Sequence, residues 1–218
     1  MRYAVLGTGI VGRTLASKLL ELGHEVTMGS RSAGNEAATA WASDGGEPAH
    51  HGTFRDAAAA GDVVINATAG EGALAALESA GEENLEGKVL IDTSNAIDHS
   101  SGFPPLLTVA NTDSVAEQIQ RRFPRARVVK ALNTVNAEVM VNPGMIDGGH
   151  NLFIAGDDAA AKAEVVAFLA GLGWAADDVI DLGDITNARA LEMYLTLWIR
   201  LMRRLGNARF NIRVVRAS

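Results

Sequence analysis

The sequence predicts an α/β fold: a doubly wound, mostly parallel sheet with a C-terminal βαβα extension. Three observations predict it. Short apolar runs alternate with stretches of helical spacing, a Gly-x-Gly-x-x-Gly turn (Gly7, Gly9, Gly12) joins the first run to the first helix, and the second run ends in Gly29-Ser30-Arg31-Ser32. Strand, glycine-bearing loop and helix in alternation is the pattern of a Rossmann-type sheet.

Tyr3 to Leu6 reads as a short buried strand. After the glycines, Ile10, Val11, Leu15, Leu19 and Leu20 recur at helical spacing with Lys18 and Glu21 outside, and Gly23 ends the helix. A lone glycine triplet is weak evidence, but this one has the strand, turn and helix context that a dinucleotide site requires. Gly7 permits the tight turn, Gly9 lets backbone approach a pyrophosphate, and Gly12 lets the helix pack closely on the strand. Thr8, Ile10 and Val11 lie in the same turn, where helical N–H groups and the positive end of the dipole face the phosphates.

The second strand, His24 to Met28, ends where an NAD enzyme usually carries an acidic residue, and this chain offers Gly29, Ser30 and Arg31 instead. A carboxylate would repel a 2′-phosphate. Ser30 and Arg31 would bind one, and the planar guanidinium can donate two parallel bonds while stacking on adenine. The expected cofactor is NADP(H) rather than NAD(H).

Asp62 to Asn66, Lys88 to Asp92 and Arg127 to Ala131 read as further buried parallel strands, and residues 57–60, 73–80 and 114–122 as helices. In such sheets ligands lie beyond the carboxyl ends of the strands, at the point where strand order reverses. The residues there are Ala67-Thr68-Ala69-Gly70, Thr93-Ser94-Asn95 and Leu132-Asn133-Thr134. Ala67, Thr68, Asn95 and Asn133 suit a flat nicotinamide, with small backbone-exposing residues and amides for its carboxamide and ribose. No acid-base pair or metal cluster stands among them, so no catalytic side chain and no metal ligand is expected. Lys130 and Asn133 sit three apart at a strand end, not on successive helix turns.

Farther on, His150 to Ala155 reads as a strand, Gly156-Asp157-Asp158 as the cap of a helix from Ala159 to Leu172, and Asp178 to Leu182 as another strand. The last helix, Ile185 to Leu205, carries Leu191, Leu195, Trp198 and Met202 on one stripe, widened by Met193, Leu197 and Leu201. So wide an apolar girth needs cover on more than one side. The expectation is a homodimer through helix 185–205, with Trp198 and Tyr194 as packing residues. Residues 1–150 then form an NADP-binding domain, and residues 151–218 an extension packed on the same domain.

The chain has 218 residues and 48% hydrophobic content, enough for a sizeable core. It contains no cysteine, which excludes a disulfide framework, a thiolate metal site and a cysteine nucleophile. A net charge of −7, spread along the chain, argues against a nucleic-acid or anionic-membrane partner. The arginines of the tail, from Arg200 to Arg216, read as a solvated basic helix end. The amino terminus runs straight into the glycine turn without a cleavage region, and no apolar run approaches a membrane span, so a cytoplasmic location is expected. Of the five histidines, His50 and His51 would point to opposite faces of an extended segment, His24 and His150 occupy ordinary positions, and His99 falls in the loop near the expected site.

The order of Gly-Thr-Gly-Ile-Val-Gly, Gly-Ser-Arg-Ser, Lys130-Ala-Leu-Asn133-Thr, Ala155-Gly-Asp-Asp and Asp181-Leu-Gly-Asp-Ile-Thr-Asn-Ala-Arg189-Ala-Leu-Glu192 resembles the NADP oxidoreductases dependent on coenzyme F420. The resemblance covers nearly the whole chain. It implies NADP held by Thr8 to Val11 at the pyrophosphate and by Ser30 and Arg31 at the 2′-phosphate. It also implies hydride transfer between NADP(H) and a deazaflavin, coenzyme F420, stacked on the nicotinamide, a reaction in which both redox partners bring their own chemistry. The chain departs from the family at Asn66 to Ala69, at Asn136 and at Asn35, giving a more polar and open pocket. The alternatives are an NADPH-dependent reductase of a small carbonyl or imine, and a non-catalytic NADP-binding sensor. The roughly sixty residues after Gly156 are too few for the long helical domain that carbonyl reductases of this kind add.

Overall fold

The computed structural model describes residues 1–98, 100 and 102–217. The chain lays down β1 (Arg2–Leu6), β2 (Glu25–Ser30), β3 (Ala49–Thr53), β4 (Val63–Asn66), β5 (Val89–Asp92), a small hairpin of β6 (Ile97–Asp98) and β7 (Leu106–Leu107), and β8 (Arg127–Lys130). Apart from the hairpin these form one six-stranded parallel sheet in the order β3-β2-β1-β4-β5-β8. The chain starts at the centre, winds out to β3, returns beside β1 as β4 and winds out the other way. Strand order therefore reverses between β1 and β4, which brings the residues after Leu6 beside those after Asn66.

Successive side chains of a strand point to opposite faces, and each face here has its own core. Tyr3, Val5, Val26, Met28, Ile65, Ile91 and Val129 pack under α1 (Ile10–Glu21), α2 (Glu36–Gly45), α7 (Ala137–Val141) and α8 (Ala159–Gly171). Ala4, Leu6, Val64, Leu90 and Val128 pack under α3 (Phe54–Ala60), α4 (Gly70–Ala80), α5 (Glu82–Leu85) and α6 (Val115–Arg122). Cover on both sides is why the central strands are unbroken apolar runs.

Beyond β8 the chain adds β9 (Leu152–Ile154), α8, β10 (Val179–Asp181) and α9 (Ala188–Leu205), the βαβα order. β9 and β10 pair in parallel, and Lys130 and Ala155 exchange two backbone bonds of 2.8 and 3.1 Å that join the pair antiparallel to β8. Leu152, Ile154, Val165 and Leu169 share one core with Tyr3 and Val5.

Several elements go beyond the sequence reading. α2 and the edge strand β3 occupy a stretch whose Ala49-His-His-Gly-Thr53 carries no apolar run, because an edge strand buries little. β2 runs on to Ser30, two residues past the expected end. The last helix opens with a 3-10 turn over Ile185–Asn187, capped by the Asp184 carboxylate, before α9 proper. No helix is long and apolar enough to cross a membrane among the described residues.

Candidate functional site

The tip of β1 and the first turn of α1 form the floor of the site. Gly7 has φ +125°, a conformation that L side chains rarely adopt, and its N–H donates to Gly29 O at 2.9 Å. A Cβ on Gly7 would stand 2.5 Å from Ala67 O, and one on Gly12 would stand 2.1 Å from Gly7 O. Gly9 differs, since among the described residues a Cβ there would meet nothing within 4 Å. Its open side faces solvent beside the amino end of α1, which has no side-chain cap. Ile10 beside it is 70% exposed and Val11 is half-buried. The cradle is thus closed underneath and empty on top, which fits a pyrophosphate set against bare N–H groups. The Arg13 guanidinium donates to Thr8 O and pins the loop, a contact the sequence reading missed.

A cleft of about 530 Å³ opens above this floor, lined among others by Gly7, Thr8, Gly9, Ser30, Arg31, Asn35, Ala67 and Thr68. Seven of the expected site residues therefore meet around one space. Ser30 is buried and its hydroxyl donates to Ser32 O at 2.6 Å, so it shapes the loop. Arg31 is exposed at the mouth, and among the described residues its guanidinium has no ion-pair partner. Asn35 caps α2 by accepting from Ala38 N at 3.0 Å. A free guanidinium beside a helix amino terminus is suited to a phosphate.

Asn95 and Asn133 lie outside this cleft, at the ends of β5 and β8. Asn133 Nδ2 donates to Asn95 Oδ1 at 3.0 Å and to Leu191 O at 3.0 Å, and Asn95 Nδ2 donates to Asn133 O at 2.9 Å. Leu132 before them is fully buried at φ +65°, a strained backbone for a branched side chain, and it turns the chain so that Asn133 meets Asn95. Among the described residues, the buried Asn133 Oδ1 and Thr134 Oγ1 atoms have no hydrogen-bond partner. Unpaired buried polar atoms are costly, and a bound ligand would satisfy them. The residues of the site therefore fit a dinucleotide. His99 lies outside the described residues.

The chief feature that the sequence reading missed lies one layer below these amides. Lys130, fully buried, places Nζ 2.7 Å from Asp92 Oδ2, 2.8 Å from Glu192 Oε1 and 2.5 Å from Ser94 O. Burial alone would lower the lysine, but the two facing carboxylates outweigh it and raise it above its ordinary value. Asp92 Oδ1 accepts from Asn66 Nδ2 at 2.8 Å, and Asn66 Oδ1 accepts from Thr68 Oγ1 at 2.7 Å. Glu192 also accepts from Val115 N at 2.9 Å and Ala116 N at 3.2 Å, at the start of α6. One network thus runs from Thr68 in the cleft to α9. The available signals were polar residues closing apolar strands and a glutamate inside the apolar stripe of the last helix.

The NADP oxidoreductase, coenzyme F420-dependent family matches residues 2–96. The F420-dependent NADP reductase of Methanothermobacter marburgensis is 32% identical over 216 residues, covering 92% of each chain. The chain belongs to this family of F420-dependent NADP reductases. As a member it is an NADP-dependent oxidoreductase. A protein of Arthrobacter sp. FB24, assigned as an F420-dependent NADP-reductase, is 51% identical in its crystal structure, with a TM-score of 0.92 over 98% of this chain and 99% of that one. The rat Metalloreductase STEAP3 is 30% identical over 88% of this chain, which spans 36% of that longer protein.

Proposed function

We propose that this reductase passes hydride between NADP(H) and a deazaflavin, coenzyme F420, or a flavin-like acceptor. The observation that carries the reading is the arrangement of the strand ends. An open glycine cradle stands over β1, Arg31 stands exposed at one side, and beyond β5 and β8 stand the Asn95–Asn133 amide pair and Thr134, with the buried Asn133 Oδ1 and Thr134 Oγ1 unpaired among the described residues. A dinucleotide laid along these ends would have its pyrophosphate on Thr8 to Val11, with Gly7, Gly9 and Gly12 giving room. Arg31 would take the 2′-phosphate, beside a loop that Ser30 holds. Ala67 and Thr68 would flank the ribose, and Asn95 and Asn133 would fix the carboxamide. When bound, the nicotinamide supplies the hydride and its two electrons, and the acceptor receives them. The side chains fix distance and face and keep water out, which is the larger part of such a transfer.

In this reading residues 1–150 are the nucleotide-binding unit and residues 151–218 an extension fused to its core, working in the cytoplasm as a homodimer. What supports the dimer is the outer face of α9, where Leu197 is 53% exposed, with Leu106 of the hairpin 56% exposed beside that helix. Such a patch suits a second copy. The test is anaerobic oxidation of NADPH with coenzyme F420, with FMN in parallel, following both chromophores. Rapid transfer to the deazaflavin supports the reading. NADPH binding without transfer to either overturns the acceptor, and failure to bind NADPH overturns the cofactor site.

A further inference from the structure

The Asp92–Lys130–Glu192 network is buried and electrically unbalanced. Asp92 Oδ1 accepts from Asn66 Nδ2 at 2.8 Å and from Ser94 N and Oγ at 3.2 and 2.8 Å, while Oδ2 accepts from Lys130. Glu192 accepts from the N–H groups of Val115 and Ala116 and from Lys130. Every backbone and amide partner of the two acids is a donor, and both face the Lys130 ammonium, the surroundings that suit carboxylate acceptors. One ammonium against two carboxylates leaves one negative charge in excess. The nearby Glu117–Arg189 pair, 2.5 Å apart, is neutral as a unit and does not cancel it. The amino end of α6 offsets it only in part, since a helix terminus amounts to about half a charge.

The position of this charge gives it a function. Lys130 Nζ holds the carbonyl of Ser94, next to Asn95, and Glu192 follows Leu191, whose carbonyl holds Asn133. The excess charge therefore lies directly beneath the amide pair at the hydride-transfer end. Among the described residues Asp92, Lys130 and Glu192 are each at most 2% exposed, so solvent screens the charge poorly.

We propose that Glu192 is a positioning residue whose carboxylate, through Lys130 and Asp92, both sets the Asn95–Asn133 pair and biases the site toward oxidised cofactor. The inference rests on the proposed reading that the nicotinamide lies at these strand ends. The two forms of the cofactor differ by one hydride, so the oxidised ring is a cation and the reduced ring is neutral. A fixed negative charge beneath the ring stabilises the first and leaves the second nearly untouched. The ratio of the two affinities, and with it the equilibrium of the bound couple, then depends on a residue that touches neither cofactor.

The test is Glu192→Gln in the full-length protein, titrated with NADP+ and with NADPH separately. Across a separation of about 10 Å and an effective dielectric of about 20 to 40, one unit charge is in general worth a roughly fourfold to fifteenfold change in a binding constant. The expected result is that NADP+ binding weakens by that factor relative to NADPH binding. Equal weakening of both forms, no change in the ratio, or a shift favouring NADP+ overturns the inference, because a purely structural role moves both affinities together. Should Glu192→Gln fail to fold, Asp92→Asn removes the same charge from the other side of Lys130 and must move the ratio in the same direction. Wild-type protein that binds neither form would instead refute the proposed function, and that result is read before any variant is made.

Discussion

Gly12 and Gly9 of the first turn should fail in different ways when a methyl group is added. In Gly12→Ala the new Cβ falls 2.1 Å from Gly7 O and 2.9 Å from Gly7 C, both backbone atoms that cannot rotate away. An ordinary contact requires about 1 Å more, so α1 must lift from the sheet against a fully packed core. Overpacking of this kind costs about 3 kcal/mol, equivalent to a fall of roughly 6 to 12 °C in Tm for a chain of this size. In Gly9→Ala the Cβ meets no atom of the described residues within 4 Å, and the backbone at φ −73° accepts alanine. The gain from a stiffer unfolded chain and the loss of a favourable N-cap residue roughly cancel, so Tm should move by no more than about 2 °C. The same methyl would stand where the pyrophosphate meets the helix N–H groups. Losing one such charge-assisted bond, about 1.5 to 3 kcal/mol, weakens NADPH by about tenfold to a hundredfold. Thermal unfolding and fluorescence titration with NADPH read the two quantities independently. A Gly9→Ala protein that binds NADPH as well as wild type, or that loses several degrees of Tm, would refute the argument.

Arg31→Ala should weaken NADPH by about tenfold to a hundredfold and leave NADH within about twofold, as measured by paired titrations. Lys130→Met leaves two buried carboxylates facing each other and should destabilise the fold by about 3 to 5 kcal/mol in urea unfolding. On the acid side, Arg121 holds the Asp113 carboxyl at about 2 and Arg127 holds that of Asp158 at about 2, against an ordinary 3.8. Both folded values are depressed, so their contribution is present above about pH 4 and is lost as the pH falls toward 2. Scanning calorimetry between pH 5 and pH 2.5 should show this loss, and it should be shallower in Asp158→Asn, which keeps the α8 cap but not the ion pair.

The parts of the fold legible in the sequence are those whose physics is local. A strand buried on both faces reads as a short apolar run, so the central β1, β4 and β5, and β8 at the end of the sheet where β9 joins it, announce themselves within a residue or two. β3 does not, because its outer edge faces solvent and His50 and His51 are exposed there. The apolar spacing marks α3 only from Ala57, although Thr53 and Asp56 form a capping box that marks its start at Phe54. α7 has five residues, too few for any periodicity to show.

The site divides along the same line. Gly7, Gly9 and Gly12 are readable because one turn of backbone dictates all three, and Arg31 because it occupies the place where an acid would stand. Lys130, Asp92 and Glu192 were each visible as a polar residue at the edge of an apolar run, but their meaning depends on contacts spanning 38 and 62 residues, which no window contains. Their burial also reverses the ordinary inference from composition. A lysine beside two acids on a surface would be worth little, whereas here each charge is held only because the others are present. The Glu192 carboxylate is therefore one of the ties that hold α9 to the sheet, beside the Asn133–Leu191 bond, and the same carboxylate leaves the proposed hydride-transfer end negative. On the proposed placement of the cofactor, a residue that fastens the last helix cannot then be varied without altering the electrostatics of that site, which couples the stability of α9 to the chemistry of the strand ends.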